Sequence, residues 1–237
     1  MKTINRNFCL VLSLLFVFVL SVQAANEKTG TQTRKTDSFR GISVTSGIDL
    51  YLTQGNSEEV IIKADPEIID DIITEVKDGI LHIYMKNRNN WMWNKDRKAY
   101  VTFDDLSKLD VSAGADVEAE NTFKLDEIKI SVSSGADLEI DDLTAESVWL
   151  DTSSGSDAEI SGQVVNFNAS SSSGSDLSCS DLVSENCEVS ASSGADVEVH
   201  VTKKLKASAS SGGDVRYKGN PNQKDINESS GGDVYRY

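Results

Sequence analysis

The sequence predicts an all-β fold, a single-stranded parallel β-solenoid or β-helix of about 20 residues per coil, with one short helix and one hairpin in its N-terminal part. Three observations carry that prediction. The stretch SSGADLEI at 133–140 recurs to the last residue, its glycine returning as Gly114, Gly135, Gly155, Gly174, Gly194, Gly212 and Gly231, at steps of 21, 20, 19, 20, 18 and 19 residues. An aspartate follows each of these glycines two places later, from Asp116 to Asp233. The positions counted from each glycine also sort into columns: Leu109, Ile130, Leu150, Ala169, Val189 and Ala207 at −5; Val117, Leu138, Ala158, Leu177, Val197 and Val215 at +3; and Ala119, Ile140, Ile160, Cys179, Val199 and Tyr217 at +5. Ser, Asp, Glu, Lys and Asn lie between them, so a period of two turns one face of each strand inward. A unit this short buries its apolar face only by stacking on its copies, parallel, in register and about 4.8 Å apart. A β-propeller is the rival arrangement, but a blade needs about 40 residues and four strands.

In chain order, residues 1–24 have the form of a secretory signal peptide: Lys2 and Arg6, an apolar run from Phe8 to Leu20, then Val22 and Ala24 as small residues before the cleavage site. No later stretch approaches membrane-spanning length. Residues 25–38 are polar and aperiodic and are expected to be a flexible leader. A single solenoid domain is expected over 39–237, with elaborated coils over 39–108 and regular coils over 109–237. FRGISVTSGIDLYLTQG places Ile42, Val44, Leu50 and Leu52 on one face and is already a first coil. Val60 to Lys63 reads as a strand. Asp65-Pro66-Glu67 then supplies a cap, a proline and an acid in the first turn for a short helix, with Ile68, Ile69, Ile72 and Ile73 on one stripe, covering the open end of the stack. Thr74 to Met85 reads as a hairpin about Asp78-Gly79, and Asn87 to Arg97 as a loop. In the array, the SSGx bend joins two strands per coil, and a second bend carrying Leu143, Val164 or Leu182 closes each coil. Lys224 and Glu228 replace apolar residues in the last coil, as a terminal cap requires.

The chain holds 38 acidic against 23 basic residues, a net charge of −15, and loses two more positive charges if Lys2 and Arg6 are cleaved away. A chain that acidic repels nucleic acid and anionic lipid surfaces, so both fall low among the expected partners. The segments SGIDLYLTQG, EVKDGILHIYMK and DDLSKLDVSAGADV, in that order, resemble the bacterial autotransporter-adhesin head GIN domain family. The resemblance runs from about Phe39 to the C-terminus and implies a secreted or surface β-solenoid, with adhesion as the proposed role and no established catalytic residues. Two departures stand out. Gly47-Ile48-Asp49 carries aspartate where the family has its eponymous asparagine, and no stretch long enough for a translocating barrel follows the repeats, so autotransport by this chain is not expected.

The candidate sites each have a plain structural alternative. The Asp column, with Asp116, Asp137, Asp157, Asp176 and Asp196 at its centre, could hold calcium as a ladder of hard oxygen ligands, or each Asp could accept hydrogen bonds from its own bend. Trp149 alternates outward beside Lys129 and Asn168, and Trp91 and Trp93 stand among amides and basic residues. An exposed tryptophan can stack on a sugar or a partner side chain, or simply cover a neighbouring lysine stem. Cys179 and Cys187 both point inward on one coil, as a disulfide or as two buried thiols. Catalysis has little support: His82 and His200 are the only histidines, neither lies in a nucleophile or metal motif, and the acids repeat evenly without gathering. The expectation is therefore a non-enzymatic binding or adhesion module without a cofactor, exported to the periplasm, outer-membrane surface or medium, its partner an envelope component, glycan or protein. A carbohydrate-active enzyme on the same fold and a calcium-stabilised structural stack are the alternatives, and the oligomeric state is left open.

Overall fold

The computed structural model describes residues 29–86 and 95–237, so the signal segment and the loop carrying Trp91 and Trp93 lie outside the described residues. The chain winds into a β-solenoid of about 20 residues per turn. Strand β1 (Gly30–Arg34) precedes the first coil, which is β2 (Gly41–Val44) and β3 (Asp49–Gln54). An excursion follows: β4 (Glu59–Ala64), one 3-10 turn at Ile69–Asp71, β5 (Ile72–Lys77), β6 (Ile80–Met85) and β7 (Arg97–Phe103). The array runs through β8 (Lys108–Ser112), β9 (Asp116–Ala119), β10 (Phe123–Ser133), β11 (Asp137–Ser153), β12 (Asp157–Ser172), β13 (Asp176–Ser192), β14 (Asp196–Ser210), β15 (Asp214–Lys218), β16 (Gln223–Ser229) and β17 (Val234–Arg236).

The array is stacked as its columns predict. Ile130 pairs with Leu109 on one side and Leu150 on the other, and Leu150, Ala169, Val189 and Ala207 continue the same row. These residues and the +3 column are buried, and the core extends unbroken from Phe39 to Tyr217. The corner joining the two walls has a fixed conformation: a residue and the following glycine, such as Ser134 and Gly135, both take positive φ, 61° and 64°. Serine tolerates that region at a modest cost and glycine at none, which accounts for the recurrent SG pair. In the array the next residue is small and turns into the core, Ala136 and Ser156 being fully buried, whereas the first coil has the fully buried Ile48 there. Where it is serine the side chain caps the corner, the Ser153 N–H donating to Ser156 Oγ at 3.2 Å while Ser156 Oγ donates to the Val132 carbonyl at 2.9 Å.

The second corner differs from expectation. Instead of a bend separating two strands, β11, β12 and β13 run continuously through it, and the turn is made by register shifts, between Ile140 and Leu143 against β12 and between Glu159 and Gly162 against β13. Bulges of this kind bend a strand while keeping its ladder, and they leave Leu143 and Leu182 buried inside the corner.

The N-terminal part departs further from a simple stack. β2 pairs in parallel with both β6 and β8, and β3 with both β7 and β9, so the coil that comes first in the chain is second in space. β6 and β7 form the outer layer, edged by antiparallel β5 on one wall and by β4 and then β1 on the other. The expected short helix is only a 3-10 turn: Asp65 Oδ1 accepts the Glu67 N–H at 2.9 Å, but Ile72 and Ile73 belong to β5, drawn into strand by pairing with Met85 and Tyr84. The isoleucines still close the core, Ile68 and Ile72 at 1% exposure each. The hairpin about Asp78-Gly79 has positive φ at both residues, 52° and 74°, the signature of a tight two-residue turn. In the stretch read as a flexible leader, Gly30–Arg34 is a strand against β4, and its alternate half-burial on a sheet edge explains why no apolar period marks it.

Candidate functional site

The two walls carry different chemistry on their outer faces. On the wall that follows the SSGx corner, Asp116, Asp137, Asp157, Asp176, Asp196 and Asp214 stand directly opposite one another, with Glu118, Glu139 and Glu159 in the next outward row. A groove of about 620 Å³ follows these rows from Asp49 to Asp176. Burial first, then the charges of Asp137 and Asp49, raise the Asp116 carboxyl above its ordinary value; burial also raises Asp49, against the pull of Lys98. Cations cover both ends of this acidic ribbon. At one end Lys98 sits opposite Asp49 and donates to the Tyr51 hydroxyl at 3.3 Å, the Tyr51 and Tyr100 rings stack at 4.9 Å, and Lys63 lies 4.4 Å from the Tyr100 centroid. At the other end Arg216 pairs with Glu198 at 2.8 Å.

Neither expectation for the Asp ladder describes its geometry. Among the described residues no group of three or more His, Cys, Asp or Glu side chains is arranged to hold a metal ion. Nor do the carboxylates of Asp116, Asp137, Asp157 and Asp176 cap their own bends, since the corner is held by backbone bonds such as Gly135 N–H to Ser154 O at 3.2 Å and by serines. The ladder is a solvated acidic face. In the array its bonded members are Asp214, which accepts the Asp233 N–H at 3.2 Å, and Asp196, which lies 3.8 Å from Arg216.

The wall before the corner carries Trp149. Alternation points it outward as expected, opposite Lys129 and Asn168, with the Lys129 ammonium 5.7 Å from the ring centroid. The ring is half-buried. Two shallow depressions meet at it. One of about 310 Å³ is bordered by Asn166, Asn168, Asn186 and Lys204, and one of about 580 Å³ by Asp151, Ser170, Ser190 and Lys206. The amide pair Asn186 to Asn166, 3.1 Å, runs along the first, and Lys206 is held by Glu188 at 2.6 Å in both. The asparagine pair and the Tyr51–Tyr100 stack escaped notice in the sequence. Asn166 and Asn186 share one column counted from Gly174 and Gly194, so the repeat contained that signal; Tyr100 had none, because the return of β7 beside β3 is not legible.

Cys179 and Cys187 are buried free thiols in this structure, the second of the two expected states. Burial pushes both up, Cys187 to about 12, so neither is a thiolate at neutral pH. His200 is lowered by burial and by Lys218, and it stands on β14 while His82 stands on β6, so the histidines do not meet in one site.

Fold and faces together define a filled β-solenoid whose chemistry lies on its outer walls rather than in a cavity. The chain belongs to the family described as "putative auto-transporter adhesin, head GIN domain", which matches residues 38–221. Its fold is shared with the crystal structure of a "putative adhesin" from Bacteroides fragilis, at 20% identity and a TM-score of 0.82, covering 89% of this chain and 98% of that one. A "putative adhesin" from Parabacteroides merdae aligns at 18% identity and 0.67 over 90% and 97%, and a "putative lipid binding protein" from Parabacteroides distasonis at 17% and 0.65 over 89% and 98%. No functionally curated protein matches. Among the described residues no helix is long and apolar enough to cross a membrane.

Proposed function

We propose that the chain is an exported, non-catalytic module of the cell envelope that binds a glycan or glycan-bearing envelope component on the wall carrying Trp149. The observation that carries this reading is the half-buried Trp149 ring between two depressions edged by amides, hydroxyls and lysines. An apolar ring face fixes the plane of a sugar, and convergent short polar side chains select its hydroxyls; the depressions fall in or near the range of about 300–1,000 Å³ usual for small-ligand sites. The family's adhesin description supports a binding role. The carboxylates of the opposite wall repeat one per row instead of gathering into a paired acid and base, which supports a non-catalytic module. Trp91 and Trp93 remain candidates for the same role.

A glycan array probed with the chain and with Trp149→Ala tests the reading. Binding without turnover is expected, weakened about tenfold or more in the variant while its circular dichroism is unchanged. Equal binding by the variant, or release of a cleaved product, overturns it.

A further inference from the structure

The last coil is unlike every other. Its large apolar side chains Ile226, Tyr235 and Tyr237 are the exposed large hydrophobics among the described residues, at 40%, 41% and 56% exposure. Every residue of β16 is exposed, and among the described residues β16 and β17 pair on one edge only, with β14 and β15. The opposite end of the solenoid is edged by antiparallel strands and plugged by Ile68 and Ile72, so the two ends cannot join head to tail by simply continuing the parallel stack.

We infer that the free edge of the last coil docks a second copy of this chain, end to end, by antiparallel pairing of β16 with its copy about Ile226. This inference does not depend on what the Trp149 wall binds. Sequence register supports it. Lys224, Ile226 and Glu228 fall on one face of β16. Centred on Ile226, the pairing sets each Lys224 opposite the other copy's Glu228 and the two isoleucines against each other, while Asp225 meets Asn227 and Gln223 meets Ser229. Shifting the centre by one residue either way, which moves the partner strand by two, puts Ile226 opposite Lys224 or Glu228, and shifting by two sets Lys224 against Lys224 or Glu228 against Glu228. One register is therefore complementary, and its neighbours are rejected by unpaired or like charge. Lys224 has no ion pair among the described residues, so it is free to make this one. Glu228 Oε1 accepts the Val234 N–H at 2.8 Å in the single chain, a contact that closes the coil when no copy is bound.

The symmetry has a consequence for binding. A twofold axis relating antiparallel copies of one strand stands normal to the sheet, so both chains present the same wall to the same side. Trp149 lies four rows from the last coil, in the row order Trp149, Asn168, Glu188, Lys206, Asp225. At about 4.8 Å per row the two tryptophans of the pair stand about 40 Å apart on one face. That is a bivalent arrangement for a repetitive surface ligand.

Sedimentation of the purified chain over a concentration series tests this. A dimer is expected. Lys224→Glu and Glu228→Lys should each weaken association about tenfold or more, and the double exchange should restore it, because the swapped charges face each other again. Ile226→Cys should cross-link to its own copy under mild oxidant. The buried thiols of Cys179 and Cys187 do not compete. A monomer at all concentrations, a dimer indifferent to Lys224→Glu, or a double exchange no better than the singles overturns the proposal. Unchanged circular dichroism in each variant separates lost docking from lost folding.

Discussion

In the array after Phe123, each strand pairs with the strand one coil further along the chain, as β11 does with β12 and β12 with β13. Before Leu106 the pairing jumps: β2 takes β6 and β8 as neighbours, and β3 takes β7 and β9. The same inward alternation builds both regions, yet the first is nearly one-dimensional and the second is closed by contacts between distant segments. Each array coil needs only its neighbours, whereas the N-terminal region must bring β7 back beside β3 before its edges are covered. A stack can be lengthened by repetition, but its end has to be designed once.

The sharpest way to break that comparison is to empty the core in each region. Phe167 in the array and Phe103 in the N-terminal region are at most 1% exposed, and Phe103 meets Phe123 edge to face at 5.0 Å. Each substitution by alanine should cost about 3–5 kcal/mol. In urea, Phe167→Ala should split unfolding into two transitions, since the coils on either side couple only through the damaged layer, while Phe103→Ala should lower a single transition. Identical behaviour of the two variants would show that the array is as cooperative as the N-terminal region.

Two glycines of the array separate its corners next. At Gly162, φ is 125° and an added Cβ would lie 2.1 Å from the Leu143 carbonyl oxygen; at Gly155, φ is 64° and nothing lies within 4 Å. Gly162→Ala should therefore destabilise by about 2–4 kcal/mol and Gly155→Ala by about 1 kcal/mol, read from denaturation midpoints. Equal losses would mean that the bulged corner is no tighter than the SSGx corner.

A smaller effect tests the acidic wall where the regions meet. Burial and the neighbouring Asp137 and Asp49 raise Asp116 in the folded chain. The folded state thus holds that proton more firmly than the unfolded one, so its contribution to stability is present below the ordinary carboxylate pKa and lost as pH rises through the raised value. Asp116→Asn should melt higher than the parent at neutral pH, and the advantage should vanish below the ordinary carboxylate range. Melting curves that stay parallel across that window would refute the assignment. The smallest expected effect is none: a chelator should leave the melting temperature of the chain unchanged, and a clear drop would restore calcium as the partner of the Asp ladder.

Trp149 was legible as an outward residue between Lys129 and Asn168 because alternation and period place it without any knowledge of distant contacts. The Ile68 to Ile73 stretch was not, because its helical stripe and its strand are both consistent with the sequence, and pairing of β5 with β6 decides between them. The polar segment Gly30–Arg34 carries no periodic signal at all, since its strand exists only through the ladder that β4 offers. Cys179 and Cys187 lie on facing inward columns either way, and the state of their sulfurs depends on a distance that spacing does not encode.

By itself, then, the sequence determined the coil: its length, its inward columns, its SG corner and the outward rows of Asp, Ser and Trp149. All of these repeat over about 20 residues, and a local period is enough to specify them. Only the tertiary structure decided the order of the first coils, the strands that cover the outer edge, the bulged second corner and the Tyr51–Tyr100 stack. Those depend on which distant strand supplies hydrogen-bond partners to an open edge, a choice settled by the whole chain rather than by any one stretch of it.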